Sequence, residues 1–251
     1  MNPDSPRGPF VWVLGYGSDD SQVDTAEFYD TTADLGTSYA TQFNAENGYS
    51  ELYEGTVFYV NAADFDQVSA AAVGDDDTAK LYDSALDDVY WSRPDHSRME
   101  YADGTYVEAL DFRYALAYSE NGGDDTATLY DETAGSTSYA ARFWGYATWS
   151  KLYSGTSFYS KTEGFAEVRA ALRGDDDLAW VYDDPTRVDH LVVPFPGPAA
   201  AKAQLWNDQR AIYIDDFYEL TATTSQSFVD DKDIDPAYED DVILVGDCAE
   251  A

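Results

Sequence analysis

The chain has 251 residues, with 49 Asp or Glu against 14 Lys or Arg, a formal charge of −35 at pH 7. So acidic a surface repels nucleic acid and anionic membranes, which excludes both as partners; it suits cations, basic partners or a salty medium. The single cysteine, Cys248, excludes an internal disulfide and a zinc-thiolate cluster, and the lack of any apolar run near the ~18 residues of a membrane span excludes helical insertion in a bilayer.

The amino-terminal stretch, Met1-Asn2-Pro3-Asp4-Ser5-Pro6, is polar and turn-like and does not read as a signal peptide. The first repeat begins in mid-unit, so the expectation is a piece excised from a longer extracellular or cell-surface protein. The motif Asp-Thr-Ala-x-(Phe/Leu)-Tyr-Asp occurs at Asp24–Asp30, Asp77–Asp83 and Asp125–Asp131, with a degenerate copy at Asp177–Asp183. Successive copies start 53, 48 and 52 residues apart. They divide the chain into a single repeat domain with units at about 24–76, 77–124, 125–176 and 177–235, followed by a tail or cap at 236–251. Alternate units match best: 37–83 aligns with 137–183 without a gap, with 23 of 47 positions identical. The repeat is therefore a double unit of about 100 residues.

Within one unit, period-2 patterning between Gly/Asp turns predicts four short strands. They lie near Ser38–Phe43, near Glu51–Val60 with a break at Gly55, at Val68–Ala72, and at Thr78–Tyr82. The recurring alanines Ala26, Ala79, Ala127 and Ala179 predict a thin interior layer. The fourth unit carries a Pro-rich insertion, Val193–Pro198, and a short helix is expected at Ala199–Trp206. The fold class is all-β with a repeat architecture. A parallel β-helix or β-solenoid is favoured, because alternation of odd and even units suits stacked coils. The alternative is a β-propeller with ~50-residue, four-stranded blades.

The runs Phe65-Asp-Gln-Val-Ser-Ala-Ala-Ala72 and Gly74-Asp-Asp-Asp-Thr-Ala-Lys-Leu-Tyr-Asp-Ser84 resemble the tandem repeats of large planctomycete secreted and surface proteins. Those are loosely grouped with haemolysin-type calcium-binding repeat proteins. The resemblance implies an extracellular, surface-associated role and calcium binding. The nonapeptide of such calcium arrays is present only in fragments, such as Gly122-Gly123-Asp124-Asp125.

Three constellations could carry chemistry. The first is acidic: Asp75, Asp76, Asp77 and Asp83, then Asp124, Asp125 and Asp131, then Asp175, Asp176, Asp177 and Asp183. Calcium takes six to eight oxygen ligands, and carboxylates stacked at strand spacing could supply them; Asp is equally the residue that closes turns on backbone N–H groups. The second joins His96 with Arg93, Arg98 and Tyr101, echoed by His190. On an enzyme this set could abstract a proton beside a uronate carboxylate, as a polysaccharide lyase does. The third is aromatic: Tyr49, Tyr53, Tyr59, Tyr139, Tyr153, Tyr159, Trp144 and Trp149, either ladders between strands or platforms for sugars. The expected function is a non-enzymatic structural or adhesive module stabilised by calcium. Its partners are other copies or neighbouring repeats of the same protein, cations and polysaccharide. The alternative is a carbohydrate-active β-helix. Specificity is expected in the divergent stretches Trp91–Arg113 and Arg187–Phe217.

Overall fold

The computed structural model describes residues 11–18, 22–30, 40–54, 58–73, 76–133, 139–173, 176–182, 190–193, 202–207, 210–215, 217, 219–223, 232–234 and 242–245. Among them are 23 strands and no helix. The chain enters on β1 (Val11–Tyr16) and crosses to β2 (Thr25–Tyr29). It returns as an antiparallel meander of β3 (Gln42–Glu46), β4 (Tyr49–Glu54) and β5 (Phe58–Ala63), crosses for β6 (Gln67–Ala71) and comes back for β7 (Thr78–Tyr82). The next meander, β8 (Val89–Arg93), β9 (His96–Glu100) and β10 (Tyr106–Leu110), lies in the opposite sheet and is followed by β11 (Tyr114–Tyr118) and β12 (Thr126–Tyr130). The pattern then recurs. β13 (Arg142–Gly145), β14 (Trp149–Ser154), β15 (Phe158–Glu163), β16 (Glu167–Ala171) and β17 (Leu178–Tyr182) repeat β3 to β7. β18 (His190–Val193), β19 (Lys202–Trp206), β20 (Ala211–Asp215), β21 (Glu219–Thr223) and β22 (Lys232–Ile234) repeat β8 to β12, and β23 (Val242–Val245) closes the series.

Two large mixed sheets result. Sheet I has twelve strands in the order β1-β5-β4-β3-β7-β11-β15-β14-β13-β17-β21-β23, and sheet II has eleven, β2-β6-β10-β9-β8-β12-β16-β20-β19-β18-β22. Neither closes into a barrel. The middle strand of each meander, β4, β9, β14 or β19, runs antiparallel to its neighbours, and all other pairings are parallel.

This topology explains the 100-residue period. A 50-residue unit holds five strands: a meander of three, one strand in the opposite sheet, and one back in the first. Passing to the next unit takes a third crossing, and an odd number of crossings delivers the next meander to the opposite sheet. Only every second unit returns to the same environment, so 37–83 matches 137–183 while the copy between them drifts.

The core lies between the sheets and follows strict alternation. On β7 Ala79 and Leu81 are buried between outward Thr78, Lys80 and Tyr82; on β6 Val68 and Ala70, with Ala72 beyond its end, are buried. The recurring alanine is buried at Ala79, Ala127 and Ala179, opposite bulky meander residues such as Phe43, Leu52, Phe143 and Leu152. Gly145 stands where the matched stretch has Ala45, and a Cβ there would meet Ile212 Cδ1 at 2.9 Å.

Three local expectations are corrected. The stretch 51–60 is two strands, β4 and β5, paired antiparallel, so each unit has five strands rather than four. Of the strand expected near Ser38–Phe43, residues 38 and 39 lie outside the described residues, 40 and 41 are not strand, and β3 starts at Gln42. In place of a helix at Ala199–Trp206, residues 202–206 form β19, held between β18 and β20. Pairing on both edges overrides the helix propensity of Lys, Ala, Gln and Leu. Residues 194–201, including most of the Pro-rich insertion, lie outside the described residues.

Candidate functional site

The motif aspartates sit at strand ends and point inward. Asp77, Asp125 and Asp177 each precede a single strand and are at most 1 % exposed. The Oδ1 of each accepts the backbone N–H of the residue that opens the neighbouring meander: Thr41 at 2.8 Å, Asp88 at 2.7 Å and Ala141 at 2.7 Å. These bonds clip the strand that each aspartate precedes to the start of the meander beside it, across 36 or 37 residues of sequence. The aspartates that end the strands do similar work. Asp83 accepts from Asn121 N at 2.8 Å and Asn121 Nδ2 at 3.0 Å; Asp131 Oδ2 accepts from Arg173 N at 3.1 Å; Asp30 Oδ2 accepts from Thr41 Oγ1 at 2.8 Å.

The same three positions carry different partners along the chain. Thr41 lends its hydroxyl to Asp30, but its counterpart Ala141 has none to lend to Asp131. Asp131 is fully buried, with Asp177 as its neighbour. Burial first, then the repulsion and shared hydrogen bond of Asp177, push the Asp131 carboxyl up to about 7. Burial also raises Asp125, opposed by the Ser119 hydroxyl, which donates to it at 2.6 Å.

Of the other acidic positions, Asp76, Asp124 and Asp176 are exposed, and Asp76 pairs with Arg113 at 3.1 Å. Asp75, Asp175 and Asp183 lie outside the described residues. Among the described residues no group of three or more His, Cys, Asp or Glu side chains is placed to hold a metal ion. The buried carboxylates face backbone donors instead.

On the outer face of sheet II, β8 and β9 bring Arg93, His96 and Arg98 together. Arg98 reaches Glu108 at 3.0 Å and lies 3.6 Å over the Tyr106 ring. The His96 ring packs edge-on against Trp91, with Nε2 3.7 Å from Glu108. Burial pulls the imidazole below its usual value, against the upward pull of Glu108. Tyr101 does not join them. It shares the inward parity of Ser97 and Met99, is 4 % exposed, and donates its hydroxyl to the Tyr82 carbonyl at 3.0 Å. His190 contributes to the backbone of β18, and its side chain lies outside the described residues.

The aromatic set divides. Tyr139 packs edge-on against Phe158 at the margin of the core. The other seven lie half-buried on the outer face of sheet I. In the first matched stretch they belong to a closed polar network: Glu51 accepts from Asn44 at 2.8 Å, Tyr49 at 3.2 Å and Tyr59 at 2.8 Å. In the second stretch Asn44, Glu51 and Asn61 are replaced by Trp144, Lys151 and Lys161. Tyr146 stacks between Trp149 at 4.0 Å and Tyr182 at 4.3 Å, and Lys151 Nζ lies 4.1 Å over the Trp144 ring. Sequence reasoning found the rings but not the lysines beside them. Their signal was available, since positions 44, 51 and 61 share the outward parity of their strands.

Comparison with protein-family models, with curated proteins and with solved structures finds no match for this chain.

Proposed function

We propose that this chain is a non-enzymatic structural and adhesive module of a secreted or cell-surface protein, built as an open β-solenoid whose natural neighbours are further repeats or copies of itself. The observation that carries the reading is the continuity of the two sheets. Every meander is hydrogen-bonded on one side to a strand of the preceding unit and on the other to the returning strand of its own unit, which pairs in turn with the next unit wherever one is described. Repeats stacked in this way depend on nearest-neighbour contacts and offer extended faces for attachment. The strand-end aspartates support it, because they are spent on bonds between stacked strands. In this reading calcium is not required for the scaffold. The arrangement on sheet II supports the non-enzymatic part, with His96 and Arg98 engaged by Glu108, Trp91 and Tyr106, Arg93 by Glu132 and Tyr130, and Tyr101 inside. The test is cleavage of uronate polymers, followed at the absorbance of the unsaturated product. No turnover is expected; turnover that disappears in His96→Ala would overturn the reading.

A second reading, carbohydrate binding, is favoured by the outer face of sheet I. There the second matched stretch exchanges a closed polar network for tryptophans and lysines on an unchanged scaffold.

A further inference from the structure

We propose that the row of lysines and tryptophans crossing the outer face of sheet I binds an acidic polysaccharide, a polymer of carboxylate-bearing sugars lying across the strands. This inference rests on the carbohydrate-binding reading and names its ligand class. The row is fixed by strand register: Lys80, Leu116, Lys161, Lys151, Trp144 and Trp180 are successive partners on β7, β11, β15, β14, β13 and β17. Three of the five lysines in the chain therefore fall on one line.

Lys151 and Lys161 lie directly opposite each other on antiparallel strands. Like charges in that position destabilise a sheet unless an anion joins them. The chain has 49 acidic residues to draw on. Yet among the described residues neither Lys80 nor Lys151 has a carboxylate oxygen within 4.0 Å, whereas Lys161 has Glu163 at 2.7 Å. Lys151 is held instead among rings, with Trp144 at 4.1 Å, Tyr153 at 5.2 Å and Trp149 at 5.8 Å.

The matched stretch provides the internal control. Glu51 occupies the Lys151 position and is saturated by three donors, so that part of the row is closed upon itself. Beneath this exchange the inner face keeps Phe43, Ser50 and Leu52 as Phe143, Ser150 and Leu152, while Val60 and Ala62 give way to Ser160 and Thr162.

Each element of the row matches a part of such a polymer. The indole rings suit the C–H faces of pyranoses, and the ammonium groups suit sugar carboxylates. Strands about 4.8 Å apart advance by close to one sugar residue of an extended chain. The overall negative charge does not forbid binding, because the Debye length at physiological salt is only about 8 Å. On β13, β14 and β15 the outward charged residues are Arg142, Lys151 and Lys161 against Glu163.

The test uses the full chain in 0.15 M salt (about one physiological ionic strength) and three probes of equal length: a uronic-acid oligomer, a neutral β-glucan oligomer and a poly-glutamate peptide. Binding is read by calorimetry and tryptophan fluorescence. The uronate oligomer is expected to saturate with a change in fluorescence. Lys151→Met and Lys161→Met should each weaken it by about tenfold or more, equivalent to ~1.4 kcal/mol. Arg169→Met, on sheet II, should leave it unchanged, and unaltered melting temperatures will show that the variants fold. Poly-glutamate binding as tightly as uronate would overturn the proposal, as would lysine variants of undiminished affinity. Neutral glucan binding as well as uronate would overturn the acidic ligand and leave carbohydrate binding standing. Binding of neither sugar would remove both.

Discussion

Replacing Asp131 by Asn should stabilise the protein above neutral pH and flatten its pH dependence. Asp131 is fully buried, and burial together with Asp177 raises its carboxyl from 3.8 to about 7. A carboxyl whose folded pKa stands above its unfolded value holds a proton in the native state that the unfolded chain has released. Its contribution to stability is fully present below pH 3.8 and is lost as the pH rises through about 7. At ~1.36 kcal/mol per pH unit, a rise of about three units sets an upper limit near 4 kcal/mol. An amide at position 131 keeps an acceptor for Arg173 N–H, supplies an N–H to Asp177 and never ionises. Urea unfolding at pH 5, 6, 7 and 8, followed by tryptophan fluorescence, should show the two proteins converging at the acid end. At pH 8 the variant should lead by roughly 2–4 kcal/mol. Because repulsion among the many other acids also relaxes at low pH, the difference between variant and wild type is the quantity to read. A difference independent of pH, or a variant less stable at pH 8, would refute the assignment.

Ala141→Thr should recover part of the same stabilisation, about 1 kcal/mol, by giving Asp131 the hydroxyl that Thr41 gives Asp30; the pH-dependent arm of the unfolding series measures it. Gly164→Ala should destabilise by more than about 2 kcal/mol, because φ is +87° and the new Cβ would lie 2.0 Å from the Ser119 carbonyl oxygen. Gly48→Ala, at φ +78° with nothing within 4 Å, should lose only about 1 kcal/mol, and paired thermal melts separate the two. EDTA should leave the melting temperature unchanged, and calcium should raise it no more than magnesium at equal concentration, as expected of charge screening; a calcium-specific rise would show that the aspartates hold a metal.

Much of the fold was legible because burial imposes period two on short strands. Thr78–Tyr82 was read to the residue, since Ala79 and Leu81 alternate with polar neighbours. The division of 51–60 into two strands was harder: Leu52, Tyr53, Phe58 and Tyr59 are apolar enough to read as one strand, and it is the antiparallel pairing of β4 with β5 that separates them. Residues 202–206 failed for a related reason, because local propensity knows nothing of the strands on either side. The aspartates were legible by a rule that went unused. Asp77 lies two residues before buried Ala79, and Asp83 two after buried Leu81, so alternation alone sends both inward, toward the donors at the ends of neighbouring strands. Specificity was expected in the stretches that diverge as a whole. The matched stretches also differ on their outer face, where Asn44, Glu51 and Asn61 become Trp144, Lys151 and Lys161.

The odd count of crossings restricts how such an array can be edited. Duplicating or deleting a single 50-residue unit would carry everything downstream to the opposite side of the ribbon, a frameshift at the level of tertiary structure. Whatever the downstream segment had displayed on one side would then be displayed on the other. Only changes in steps of two units leave the display in phase. The two sides of the ribbon can therefore accumulate separate chemistries, each sampled once per 100 residues and insulated from the other by a core that both share.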